Sequence, residues 1–366
     1  MMLPATYATA LLLAILTMLC WGSWANTLKL AGKWRFELYY FDYTLGLMIA
    51  VTVAAFTFGS WDSEGALAAD IAAFNFLDNM MVASKTQMAY AMVGGAVFNL
   101  ANLLLVAAIA VAGLSVAFPV GIGLALIVGV VLNTIIKPAG SPLFLFSGVV
   151  LVLLAIIASA MAHSLHMANK VKAAPVEPVE GRPAVRRPGV RLGAARGPSA
   201  LKGILLSLSA GLLMGLFYPL VEMSKRGEIG LGPYAAAFMF GLGVLVTTPV
   251  YNLFFMNLPV EGEAVAIRDY LRGTLKQHLL GVAGGMIWAV GAVSNFVAAS
   301  APASVNVGPG VSYALGQGAT LVSTLWGLLV WKEFAGATPA VRKRVALMLI
   351  LFIGGLALVS LAPLNK

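Results

Sequence analysis

Read by hydropathy, the chain is a succession of apolar runs separated by short polar joints. Ten runs are long enough to cross a bilayer: 5–28, 38–58, 88–112, 114–136, 143–163, 203–223, 233–255, 278–301, 304–331 and 343–362. One helical crossing needs about twenty predominantly apolar residues, so the pattern predicts an all-α membrane protein with ten transmembrane helices.

Three of these runs are not uniformly apolar. Gly284, Trp288, Gly291 and Asn295 recur at steps of four, three and four and share one helix face. Asn306, Gly310, Tyr313, Gln317, Thr320 and Thr324 form a longer stripe on the next helix, and Gly95, Asn99 and Asn102 a shorter one on the third. Lipid offers such groups no hydrogen-bond partner. Small residues and amides also serve plain helix packing, but the two longer stripes together predict a polar cavity between helices. Phe118-Pro119 and Pro309 lie in glycine-rich helix starts, where a proline interrupts regular bonding. They are the expected hinges.

Composition fits this reading. The 366 residues are 60% hydrophobic and 10% charged, values of a membrane protein and not of a soluble one. The net charge of +9 sets orientation and does not signal a nucleic acid partner. With the N-terminus outside, the outer loops keep only Lys85, Lys137, Lys225, Arg226 and Lys366 of 23 lysines and arginines. That positive-inside pattern predicts both termini outside and a cytoplasmic central segment. No basic residue precedes Lys29, so the first run reads as a retained span and not as a cleaved leader. The single cysteine, Cys20, permits no internal disulfide.

Residues 164–202 are rich in Pro, Arg, Ala and Gly and read as a disordered basic cytoplasmic linker. It separates five runs in 1–163 from five in 203–366. A shift of 190 residues superposes Gly94-Gly95 on Gly284-Gly285 and Pro119 on Pro309, and a shift of 193 puts Gly22 on Gly215 and Trp24 on Phe217. Five crossings per unit is odd, so the repeats insert in opposite orientations, an architecture of secondary transporters with a solute site near the midplane.

The segments Cys20–Tyr43 (CWGSWANTLKLAGKWRFELYYFDY), Gly94–Gly129 (GGAVFNLANLLLVAAIAVAGLSVAFPVGIGLALIVG) and Ser323–Phe334 (STLWGLLVWKEF) resemble the drug/metabolite transporter superfamily. Within it they look most like the branch of ureide permeases and bacterial glucose/ribose and rhamnose uptake (sugar transporter) proteins. The resemblance implies a ten-helix carrier whose third, fourth, eighth and ninth helices, with the first and sixth, line the solute cavity.

The expected function is therefore secondary-active or facilitative transport by alternating access. No acidic or basic residue lies deep in spans three, four, five, eight, nine or ten. A bare charge at mid-bilayer costs at least about 2.5–3.5 kcal/mol, so the solute is a small neutral polar one: a ureide or nucleobase such as allantoin, uracil or xanthine, or a monosaccharide. Trp24, Asn99, Asn102, Trp288, Asn295, Tyr313 and Gln317 are the expected binding residues. Coupling to protons would use a buried carboxylate, with Asp42, Glu222 and Glu37 the candidates. His163 and His166 have no third ligand nearby and read as a solvated helix end, not a metal site. No phosphate-binding Gly-rich motif, metalloprotease motif or inward carboxylate pair is present, so neither ATP drive nor an enzyme is expected, and no cofactor. The competing functions are a non-transporting receptor or scaffold and an exporter of amphiphilic metabolites. A bacterial inner membrane location and a homodimer through peripheral helices complete the expectations; the featureless tenth helix suits a lipid-facing or partner-facing position.

Overall fold

The computed structural model describes residues 1–61, 75–112, 114–173, 198–227, 229–259, 263–302, 305 and 307–365. The first crossing is broken into α1 (Tyr7–Ser23) and α2 (Ala25–Leu30). There follow α3 (Phe36–Phe56), a short α4 (Phe76–Val82), α5 (Lys85–Ala112), α6 (Leu114–Ile136) and α7 (Pro142–Ala173). Beyond the central segment come α8 (Pro198–Ser224), α9 (Pro233–Asn257), a single turn α10 (Ile267–Tyr270) and α11 (Leu275–Ala299). The ninth crossing is again divided, into α12 (Gly308–Gly316), α13 (Ala319–Leu325) and a π-turn (Trp326–Val330), and α14 (Pro339–Leu361) ends the chain. Among the described residues nine helical stretches are long and apolar enough to cross a membrane, with Val120–Ile136 a shorter tenth. The chain is an integral membrane protein of helices.

The starts are written in the sequence. Proline stands in the first turn of α7, α8, α9, α12 and α14, where its missing N–H is no loss and its fixed φ suits the helix. Pro309 is thus an initiating residue of α12, directly after Gly308 at φ +59°; the Pro119 side chain lies outside the described residues. The helices run further into the central segment than 164–202 predicts. α7 continues to Ala173 because no proline occurs before Pro175, and α8 already starts at Pro198. Residues 174–197 lie outside the described residues, as does Asn306.

Packing follows small residues. α5 lies against α8 and α9, and α11 lies against α1 and α3. α6 packs on α8 as α13 does on α1, and α7 pairs with α14. At the α3–α11 crossing Gly46 faces the Val282 carbonyl and Gly285 the Tyr43 carbonyl. At the α5–α9 crossing Gly243 faces the Met92 carbonyl and Gly95 that of Phe240. A methyl group at any of the four would strike backbone, so these helices approach as closely as peptide groups allow. α14 turns Val345, Met348, Phe352, Gly355 and Val359 inward, while Ile350 and Ile353 on its other face are exposed, as lipid contact requires.

Candidate functional site

A cavity of about 470 Å³ occupies the half of the bundle nearest the ends of α7 and α8 that flank the central segment, here called the linker face. Its walls are the α1–α2 junction with Trp24 and Asn26, the last turns of α5 with Asn102, α7 with Ser159 and His163, and α13 with Thr320 and Thr324. The π-turn closes the ring with Trp326 and Trp331. Apolar surface with a few converging polar groups is the usual make-up of a small-molecule site.

Local chemistry shapes these walls. At the α1–α2 break, Asn26 Nδ2 donates to the Ser23 carbonyl at 2.8 Å and Thr27 Oγ1 to that of Trp24 at 2.8 Å. Such side-chain bonds to local carbonyls compete with the helix ladder. In the π-turn, Trp331 N–H reaches the Trp326 carbonyl five residues back at 3.0 Å. The wider turn aims both indoles at the break: Trp326 Nε1 donates to Ser23 Oγ at 2.8 Å and Trp331 Nε1 to Asn26 Oδ1 at 2.6 Å. Lys332 then takes a left-handed φ of 50°, uncommon without glycine. That bend carries Glu333 back over Gly327, where its carboxylate pairs with Lys29. The Lys29 ammonium also sits 4.6 Å from the Trp331 ring, a cation–π contact.

Behind this cavity lies an aromatic cluster whose rings are not part of its lining. Trp288 stacks on Trp21 at 5.7 Å and on Phe240 at 5.8 Å, and Phe98 lies 4.3 Å from it. Phe217, Tyr218 and Tyr313 continue the cluster. Beyond it a second cavity of about 350 Å³ opens on the opposite face, lined in part by Glu222, Lys225 and Lys137.

The expected binding residues divide. Trp24 and Asn102 line the cavity, and Asn102 Nδ2 donates to Tyr40 OH at 3.2 Å. Trp288 belongs to the aromatic cluster. Asn99 is fully buried and ties α5 to α9, donating to the Val244 carbonyl at 3.1 Å, Thr247 Oγ1 at 2.9 Å and Thr248 Oγ1 at 3.1 Å. Asn295 joins α11 to α12 through the Ser312 carbonyl at 3.0 Å, and Ser312 Oγ returns a bond to the Asn295 carbonyl at 3.1 Å. The Tyr313 hydroxyl reaches carbonyls of Met214 and Ala125. Gln317 is half-buried at the end of α12 and away from the cavity wall.

Of the three carboxylates, none lines this cavity. Glu37 takes a fork of two bonds from Arg35, at 2.6 and 3.1 Å, and the Arg35 guanidinium is pushed up by that partner. Glu222 forms a buried ion pair with Lys225, whose Nζ also donates to Ser300 Oγ at 3.1 Å. Asp42 is buried between α3, α10 and α11. It accepts from Tyr270 OH at 2.6 Å, and His278 Nδ1 stands 2.8 Å from its other oxygen. Burial, then the bond to Asp42, raises the Tyr270 phenol, so it remains a donor.

Sequence reasoning missed Asn26, Tyr40, Trp326, Trp331 and the partners of Asp42. The signal available was the Trp-Gly-x-x-x-Trp spacing, but five residues on an α-helix are about 140° apart. Only the π-turn brings both indoles to one junction.

Comparison with known proteins places this architecture. Ureide permease 1 of Arabidopsis thaliana is 25% identical over 389 residues, covering 94% of each chain. Ureide permease 2 of the same plant is 25% identical over 395 residues, covering 95% of this chain and 94% of its own. A solved crystal structure shares the fold over 97% of both chains with a TM-score of 0.57 and 14% identity. The family model described as "Ureide permease" matches residues 39–180 and 191–362, interrupted only within the central segment. Spanning both halves of the helical bundle in this way, the chain belongs to the ureide permease family, whose members are membrane transporters and not enzymes.

Proposed function

We propose that the protein carries a small neutral ureide or nucleobase across the membrane by alternating access, and that the structure is its linker-face-open state. The carrying observation is the 470 Å³ cavity, edged by amides, hydroxyls and indoles on one side of an aromatic cluster. Its volume suits one small molecule. The charge on its rim is paired, Lys29 with Glu333, which favours a neutral solute. Trp24, Phe36, Trp326 and Trp331 offer ring faces to a flat one. The names of the Arabidopsis relatives point the same way.

In this reading Trp24 and Asn102 touch solute and Trp288 backs the site from within the aromatic cluster. Asn99, Asn295, Tyr313 and Gln317 hold the helices that rearrange. The two halves, 1–163 and 203–366, act as inverted repeats joined by a cytoplasmic linker. Support comes from the reciprocal pairings of α3 with α11 and α9 with α5, each with glycine against carbonyl on both helices. Gly308-Pro309 would bend first as α12 moves. Proton coupling falls to Asp42, the buried carboxylate held by the Tyr270 hydroxyl and a His278 ring nitrogen; Glu37 and Glu222 are already paired with cations.

The test is competition in one thermal-stabilisation screen, with allantoin, uracil and xanthine against monosaccharides, followed by uptake into proteoliposomes. Stabilisation by ureides or nucleobases with counterflow exchange supports the proposal. Stabilisation by sugars alone replaces the solute class, and binding without exchange indicates a receptor.

A further inference from the structure

We infer that the fifth crossing, α7, takes part in holding the solute, with His163 and Ser159 as hydrogen-bonding residues of the linker-face cavity. The family resemblance implies a cavity lined by the first, third, fourth, sixth, eighth and ninth helices and leaves α7 out. This deepens the reading of that cavity as the solute site, on which it rests.

A polar side chain within a bilayer needs a partner, and most of those lining this cavity have one inside the protein. Asn26 bonds the Ser23 carbonyl and the Trp331 indole, Asn102 bonds Tyr40, and Trp326 bonds Ser23. Ser323 and Thr324 donate to the Thr320 carbonyl at 3.0 and 2.8 Å, and Lys29 pairs with Glu333. Among the described residues of the lining, the polar side chains without a hydrogen bond are Trp24, Thr320, Ser159 and His163. The last two both belong to α7.

A hydroxyl inside a helix can bond the carbonyl four residues back, as those of Thr17, Ser207 and Thr248 do at 3.0, 2.8 and 2.8 Å. Ser159 makes no such bond to Ala155, and its hydroxyl is left for the cavity. His163 follows four residues on, on the same helix face. In the sequence His163 and His166 look like a matched pair at a solvated helix end, but the structure gives them different surroundings. His166 is buried, with Nε2 2.9 Å from the Glu333 carbonyl. His163 is cavity wall. Phe334 lies against both imidazoles, 4.7 Å from His163 and 5.3 Å from His166. It braces the His163 ring without taking a hydrogen bond from it.

A neutral imidazole carries one N–H and one bare nitrogen in either tautomer, and a hydroxyl both donates and accepts. Residues four apart on a helix have Cβ atoms about 5–6 Å from one another, so one small ring can reach both side chains. A ureide or nucleobase edge, where carbonyls alternate with N–H groups, satisfies the two together while Trp24 offers a ring face.

The experiment uses the purified full-length protein titrated with allantoin and with uracil. Half-saturation is read from ligand-induced thermal stabilisation, each variant against its own ligand-free melt. His163→Phe keeps a ring beside Phe334 and loses both nitrogens; it should weaken the tighter ligand by about tenfold, the scale of one well-made hydrogen bond. His163→Asn sets an amide near the place of Nδ1 and His163→Gln one near that of Nε2, so one of the two should return to within about threefold of wild type. Ser159→Ala should weaken the same ligand by about three- to tenfold. Wild-type half-saturation in both His163→Phe and Ser159→Ala overturns the inference. Equal weakening by His163→Phe, His163→Asn and His163→Gln overturns it too, because the ring would then matter for shape alone. If neither ligand stabilises wild type, or Trp24→Ala leaves the titration unchanged, the cavity is not the solute site and both readings fall. A response that Trp24→Ala removes and the α7 variants keep defeats the role of α7 alone.

Discussion

Asn99 and Asn102 lie less than one helical turn apart on α5, yet their replacement should have different consequences. Asn99 Nδ2 has two hydrogens to share among three acceptors on α9, at 2.9, 3.1 and 3.1 Å. Inter-helix hydrogen bonds in membranes average about 0.6 kcal/mol and reach about 1.7 kcal/mol, so two of them set a range of about 1–3 kcal/mol for Asn99→Ala. Two features pull toward the low end. Asn99 Oδ1 is buried without a partner, so truncation also removes an unsatisfied acceptor. Thr247 and Thr248 keep their own bonds to the Gly243 and Val244 carbonyls, at 2.8 Å each, and no new orphan appears on α9. We expect a loss of roughly 1–1.5 kcal/mol, seen as a melting point lowered by a few degrees in detergent, with solute half-saturation unchanged. Asn102→Ala takes the hydrogen-bond partner from the buried Tyr40 hydroxyl, costing about 1 kcal/mol of its own, but unlike Asn99→Ala it should remove most of the solute-induced shift. The reasoning fails if Asn99→Ala melts like wild type but no longer responds to solute, because Asn99 would then belong to the site and not to the α5–α9 joint.

Three further outcomes are expected. Asp42→Asn should retain solute exchange in proteoliposomes and lose accumulation driven by a pH gradient; accumulation equal to wild type would clear Asp42 of coupling. Gly285→Ala places a methyl group against the Tyr43 carbonyl and should destabilise by about 1–3 kcal/mol, the usual range for overpacking. Gly354→Ala, whose nearest neighbour is Leu151 Cδ1 at 3.6 Å, should be neutral or stabilising by up to about 1 kcal/mol through helix propensity; equal melting points for the two variants would refute the close-contact argument. Tyr270 has a raised pKa, caused first by burial and then by Asp42. A raised acid contributes stability that is complete below its ordinary value, about 10, and lost only above it. Wild type and Tyr270→Phe should therefore show parallel melting-point profiles between about pH 6 and 9, and diverging slopes in that window would contradict the assignment.

Crossings, starts and glycine contacts were legible in the sequence because each is written locally. Apolar length gives a span, proline marks a first turn, and Gly95 and Gly285 already stood out as a repeated pair. The wall of the cavity was legible only in part. A polar stripe at helical spacing says that a face is not for lipid, but not whether its partner is a solute or another helix. Asn295 and Tyr313 found partners in carbonyls of Ser312 and Met214, which carry no sequence signature. Asp42 looked isolated because its partners, Tyr270 and His278, lie more than two hundred residues away. The Trp326–Trp331 pairing depended on one irregular turn that hydropathy cannot register.

That irregular turn is, in register, a single surplus residue near the end of the ninth crossing. Excising Leu328 or Leu329 would let the segment wind on as an ordinary helix with the two tryptophans four residues apart, about 40° from one another and still on one face. Keeping the residue but winding it as regular helix would instead turn Trp331 about 140° from Trp326. The ninth crossing should therefore tolerate a shortening by one codon at this point, since the deletion removes the irregularity and leaves the alignment that the irregularity serves.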